Sequence, residues 1–409
     1  MNKFSAFITV APFDSIHKNE DGIDFVCTGK NDELTINKAI LKGLEEEKGV
    51  YLLNGQYNID DFYDFGDGGP KCAVYFPCKK TEISFIGQSF GYATKTLSVR
   101  FYVSENALSK VGDGEYSVMR TQWFNKGILS GNTLKLENFA VCLSHNQTPI
   151  RCIDLRRCDR IEMKNVKLSA FHDRKGGFGT PPEVAVKGCI GVTMTDGSNN
   201  FLSRYDNVTA TGFYEGIQVG GEHVIMAECG AIMNVYGYTF GNYKAHCGFN
   251  HPITMINCLD ERNVNLPLFN ECGDDDYEGN RIIGGQEVTM ISFNIERLAS
   301  QTPGGKLGDV MREVYPGAFC GRIEYTMQPD WHHTNETNFQ IWEEDGSGKG
   351  FNTINMTHKK VCSTAERLSY YPTLGQQIFD TDLNKLVICV DTKTKKWVDA
   401  LGVEVDKKA

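Results

Sequence analysis

Apolar and polar residues alternate in short runs along most of the chain, and one stretch near the start breaks that rhythm. Phe7–Val10 and Asp24–Cys27 read as short β runs. After Asn31-Asp32-Glu33 the apolar residues Ile36, Ala39, Ile40 and Leu44 recur at helical spacing, which predicts an amphipathic helix. The acidic residues at its start suit the positive end of a helix dipole, and Lys48-Gly49 closes it. Gly49–Leu53, the Asn54-Gly55 turn and Gln56–Ile59 follow, a hairpin or a first pair of solenoid strands. One amphipathic helix followed only by strands predicts a cap over the open end of a β stack.

The middle of the chain repeats itself. Leu134–Val141 aligns with Ile161–Leu168 at an offset of 27, which sets Asn138 on Asn165, and Ser203–Val208 repeats the pattern with Asn207. Ile253–Arg262 matches Val288–Arg297 at six identical or nearly identical positions with an offset of 35. Between them lie Gly216–Val219 and Val224–Met226, short runs bounded by glycine. If each unit winds one turn, its asparagine lies above that of the turn below. An amide suits that place because it hydrogen-bonds along a stack and tolerates left-handed backbone geometry. No helix long enough to connect parallel strands in an α/β fold is visible between these runs. The expected fold is all-β, a right-handed parallel β-helix.

Composition narrows the function classes. The 409 residues carry 42 Lys and Arg against 52 Asp and Glu, a net charge of −10, which argues against a nucleic-acid binder with a basic face. Gly at 42, Phe at 24 and Tyr at 17 favour a turn-rich, aromatic β protein. Neither an apolar run of about 18 residues nor a signal peptide with an apolar core of about 7–15 residues is present, so neither membrane insertion nor ordinary export is expected. The 14 Cys are scattered without any CxxC, as expected of buried thiols made in a reducing cytosol.

The run Asp24–Glu33, the helix after it and Gly49–Ile59 together resemble the opening segment of pectate-lyase-like β-helix proteins, a superfamily that includes phage tail spikes and bacterial polysaccharide lyases and hydrolases. The likeness is close over residues 7–110 and continues as a generic repeat to about 330. Near the C-terminus, Gln377–Asp380, a turn at Asp382–Lys385, Leu386–Asp391 and Trp397-Val398 read as a small meander. It looks like a Phe-Asp-x-x-Leu-x-Lys…Trp-Val-Asp module that recurs at the ends of phage tail and fibre proteins; an ordinary hairpin sealing the last coil reads equally from the same residues. The division expected is 1–60 for the entry strands and capping helix, 61–365 for the β-helix and 366–409 for the C-terminal module.

Carbohydrate cleavage on such a scaffold needs paired carboxylates, or an acid–base group beside a stabilising cation. Asp260, Glu261 and Arg262 end one repeat, and Glu296 and Arg297 end its match. In register, the two glutamates stack on one face with the arginines placed to hold an anionic sugar; the structural alternative is a pair of ion pairs at solenoid corners. Asp173 and Arg174 lie in the 42-residue gap from Asn165 to Asn207, a length suited to a binding loop. Trp331 and His332 offer a stacking platform beside a base. Asp274, Asp276 and Glu278 partly fit a calcium loop, but Gly285 stands where its bidentate Glu belongs, so an insertion loop is expected there and no cofactor or metal is assigned. The resemblance implies a phage or prophage virion protein, made in the host cytoplasm. It would bind a bacterial surface glycan, with degradation of that glycan left open, contact other tail or baseplate proteins and form a homotrimer. A stand-alone lyase or glycoside hydrolase is the alternative.

Overall fold

The computed structural model describes residues 6–78, 82–89, 98–123, 133–156, 158, 160–171, 184–194, 202–240, 251–261, 263, 268–269, 272–275, 281–284, 286–296, 311–313, 319–328, 341–343, 353–354, 361–369, 375 and 377–405. The chain visits two parallel sheets in rotation. One pass follows the long sheet through Thr133–Leu143, crosses to the second sheet at Arg151–Asp154 and returns to the long sheet at Arg160–Ser169. Arg160–Ser169 pairs in parallel with Thr133–Leu143 on one side and Arg204–Thr211 on the other. Arg151–Asp154 lies in the same way between Tyr116–Thr121 and Ile190–Thr193. Each turn of chain therefore lies on the one before it, a parallel β-helix. Parallel crossovers are almost always right-handed, because a right-twisted strand packs back on its sheet only that way.

The repeats become neighbours. Ile253, Thr254, Met255 and Ile256 pair with Val288, Thr289, Met290 and Ile291. At one register position of successive long-sheet passes a left-handed residue turns the strand. These are Asn138, Asn165 and Asn207, with φ of 61°, 53° and 52°, and then, in the same register, Glu228, Asn257 and Ser292. The Asn165 amide donates to Asn138 Oδ1 at 2.9 Å, and the Asn207 amide donates to Asn165 Oδ1 at 2.9 Å. The residue after each corner points inward: Phe139, Val166, Val208, Cys229, Cys258 and Phe293 are all buried in one core. Each of the Phe and Val side chains contributes roughly 1.5–3 kcal/mol when fully buried. The ten cysteines whose side chains are described are free thiols.

The helix Asp32–Glu46 buries Ile36, Ala39 and Ile40. Its Asn37 side chain donates to Ala73 O at 2.8 Å and accepts from Tyr75 N at 3.0 Å. Those backbone groups belong to Lys71–Phe76, the edge strand of the second sheet, so the helix occupies an edge that another chain would otherwise find. Phe7–Ala11 pairs in parallel with Gly49–Leu52, and Gly49–Leu52 and Gly55–Ile59 each pair in parallel with a strand of the next coil, Glu82–Gly87 and Val99–Val103. At the other end, Gln377–Asp380, Lys385–Asp391 and Lys396–Asp399 form an antiparallel meander that also recruits Val361–Cys362. Ile378, Val387, Cys389 and Trp397 form its own core. Buried Arg367 donates to Asp380 at 2.7 Å and lies over the Trp397 ring at 5.2 Å.

Candidate functional site

The asparagine corner decides which side chains reach the outer surface of the second half of each long-sheet pass. Beyond it, strand alternation turns Val141, Leu168 and Ala210 inward and their neighbours outward. Two outward columns result. One runs Arg100, Ala140, Lys167, Thr209, Gly230, Leu259 from coil to coil. The other runs Tyr102, Cys142, Ser169, Thr211, Ile232, Glu261, and its next Cα partner is Glu296. Small residues in the middle of this face are buried between half-buried Arg100, Tyr102, Lys167 and Glu261.

The structure thus pairs Glu261 with Glu296 on adjacent strands, and strands in one sheet stand about 4.8 Å apart. Asp260, grouped with them from the sequence, faces the other way. Its strand position continues the inward column of Leu168, Ala210 and Ala231, it is wholly buried, and its carboxylate accepts from Asn263 Nδ2 at 2.7 Å. Asn263 in turn accepts from the Asn234 amide at 3.0 Å and donates to Ala231 O at 2.8 Å. This second asparagine pair was not foreseen, although Asn234 and Asn263 each stand two residues beyond the paired Ile232 and Glu261. Arg262, Arg297, Asp173, Arg174, Trp331 and His332 lie outside the described residues, as do Asp276 and Glu278. Asp274 falls in an antiparallel hairpin, Cys272–Asp275 with Arg281–Gly284, a strand setting rather than a helix-flanked calcium loop. Among the described residues no cluster of His, Cys, Asp and Glu is fit to hold a metal ion.

A second concentration of charge, on the second sheet, was also missed. Arg120 donates both terminal nitrogens to Asp67 at 2.7 Å. Arg156 donates to Asp154 and to Glu115, each at 2.8 Å, Arg151 reaches Glu115 at 2.9 Å, and the Arg156 guanidinium lies 4.7 Å from the Trp123 ring centre. Burial alone would raise the Asp154 carboxyl, but Arg156 and Arg151 outweigh it and hold the group at about 2. Asp67 and Glu115 are lowered too, burial again opposing and Arg120 and Arg156 prevailing. Carboxylates fixed in the ionised form by bidentate arginines hold coils together and do not exchange protons near neutrality. On the long sheet, Glu261 and Glu296 are Cα partners on adjacent strands.

No known protein family and no curated protein matches the chain. Among solved structures, the A-module of the Azotobacter vinelandii mannuronan C-5 epimerase AlgE6 aligns over 80% of this chain and 93% of its own, at 11% identity and a TM-score of 0.28. Tailspike protein 3 of bacteriophage CBA120 aligns over 90% of this chain and 67% of its own, at 10% identity and a TM-score of 0.23. The catalytic domain of a GH87 alpha-1,3-glucanase aligns over 72% and 67%, at 11% identity and a TM-score of 0.20.

Proposed function

We propose that this chain is a tail protein of phage or prophage type that binds a bacterial surface polysaccharide on the outer face of its long sheet and cleaves it at Glu261 and Glu296. One observation carries the reading: these two glutamates, from repeats 35 residues apart, are Cα partners on adjacent parallel strands. Strand spacing of about 4.8 Å suits the separation of roughly 5–5.5 Å at which one carboxyl acts as nucleophile and the other as acid and base in a retaining glycosidase. The flat, regular face gives a linear polymer a track along several coils. The opening segment's resemblance to tail spikes and polysaccharide-degrading enzymes supplies the substrate class.

The test incubates the purified chain with capsular and surface polysaccharides from a panel of bacteria and follows reducing ends. The expected result is chain cleavage with retained anomeric configuration, which Glu261→Gln and Glu296→Gln each reduce roughly 10²–10⁴-fold while adsorption to the same glycan persists. Absorbance from unsaturated uronates in place of new reducing sugars would replace hydrolysis by elimination. Absence of both binding and cleavage across the panel overturns the reading. The same reading expects three copies in solution, measured by light scattering. Ile225, Ile256 and Ile291, exposed on the outer face of the first half of the long sheet, are suited to that contact.

A further inference from the structure

We infer that Arg100 and Lys167 form an anion subsite on the outer face of the long sheet that selects a polysaccharide bearing carboxylate or sulfate groups. The inference rests on the proposed glycan track and adds the charge of its ligand. Arg100 and Lys167 share one outward column, separated by Ala140 alone. Two strand steps set their backbones about 10 Å apart.

Arg100 is the informative residue. In a chain with ten more acidic than basic side chains, its guanidinium has no carboxylate within ion-pair distance among the described residues. Its one hydrogen bond runs from Nη2 to the neutral Gln56 Oε1 at 2.6 Å, and its Nε is buried without a partner. Gln56 is itself held, donating to Asn58 Oδ1 at 2.6 Å, while Asn58 donates to Gly29 O at 2.8 Å. This relay fixes the fork without neutralising it, the arrangement that lets a guanidinium receive a planar anion. An outward arginine that only covered apolar surface would need no such relay. The floor beside it is small: Ala140, Cys142, Ser169 and Thr209 leave room for a ligand where large side chains would fill the face. At Lys167, burial pushes the ammonium down to about 7, and an anion placed beside it would restore its charge. Counting strands, Lys167 stands three steps from Leu259, the neighbour of Glu261, so the subsite and the carboxylate pair are about 14 Å apart on one track.

The test measures binding of the full chain to oligogalacturonate, a hyaluronate oligosaccharide and a sulfated oligosaccharide, with neutral dextran oligosaccharides alongside, by calorimetry at low salt. At least one acidic saccharide is expected to bind, and Arg100→Gln and Lys167→Gln each to weaken it about 10-fold or more. Arg100→Lys keeps the charge but loses the fork, and is expected to recover only part of the affinity. Thermal melting confirms that the variants fold. Binding of neutral saccharides alone, or acidic binding indifferent to both substitutions, overturns the subsite while leaving glycan recognition standing. Binding of none of the saccharides counts against both.

Discussion

Asn165 shows how much one side chain carries here. It donates to Asn138, accepts from Asn207 and sits in the left-handed region that Asn tolerates and Ala does not. Two hydrogen bonds at about 1 kcal/mol each and a backbone penalty of about 1 kcal/mol give an expected loss of roughly 2–3 kcal/mol for Asn165→Ala. Asn165→Gly should lose less, because glycine keeps the corner. Urea midpoints compare the two, and equal midpoints for wild type and Ala would show that the ladder adds nothing. Glu33 makes a pH-dependent counterpart. Burial is the largest influence on its carboxyl and raises it to about 7, although Asp60 N and Tyr63 hydroxyl donate to it. A folded-state value above the ordinary 4.5 means the stabilising contribution is full below about 4.5 and fades as pH rises through 7. Glu33→Gln is expected to remove this slope. A wild-type stability profile that is flat between pH 5 and 8 contradicts that expectation.

Among the elements, the second sheet is shaped by close approach. A β-carbon at Gly216 would stand 2.7 Å from Asn234 Nδ2 and 2.9 Å from Gly237 O, so the strand comes closer to the asparagine pair than any side chain allows. Gly216→Ala is therefore expected to cost about 1–3 kcal/mol. Gly230→Ala meets nothing nearer than 3.6 Å and should be nearly silent, and melting curves of the pair separate steric crowding from a general glycine effect. The same elements explain what the sequence pattern could and could not display. Asn138, Asn165 and Asn207 follow strands with the same alternation, so their stacking was legible from spacing. Asn234 and Asn263 lie beyond short strands with no repeating residues around them, and only the register that joins Ile232 to Glu261 brings them together. Asp260 was misplaced because a three-residue strand, Leu259–Glu261, offers too little alternation to tell its inward face from its outward one.

At the scale of the molecule, stability comes from coil stacked on coil, so the ends are where the architecture is exposed. The helix Asp32–Glu46 and the strand Phe7–Ala11, which pairs with Gly49–Leu52, cover one end, and removal of residues 1–47 would uncover the strands Gly49–Leu52 and Lys71–Phe76. Such a truncation is expected to aggregate through those edges. A monodisperse, folded product in gel filtration would show that the entry strands and the helix are dispensable. The local pattern of the sequence determined the strands, the capping helix and the asparagine corners, because each depends on residues close together in the chain. It also determined that the segments ending at Glu261 and Glu296 are copies of one unit. Only the tertiary structure decided that Asp260 turns into the core, that Arg120 finds Asp67 and Arg156 finds Glu115, and that Arg100 shares a column with Lys167. Those contacts join residues from different coils, and the loops between coils vary in length, so no fixed period in the chain records them.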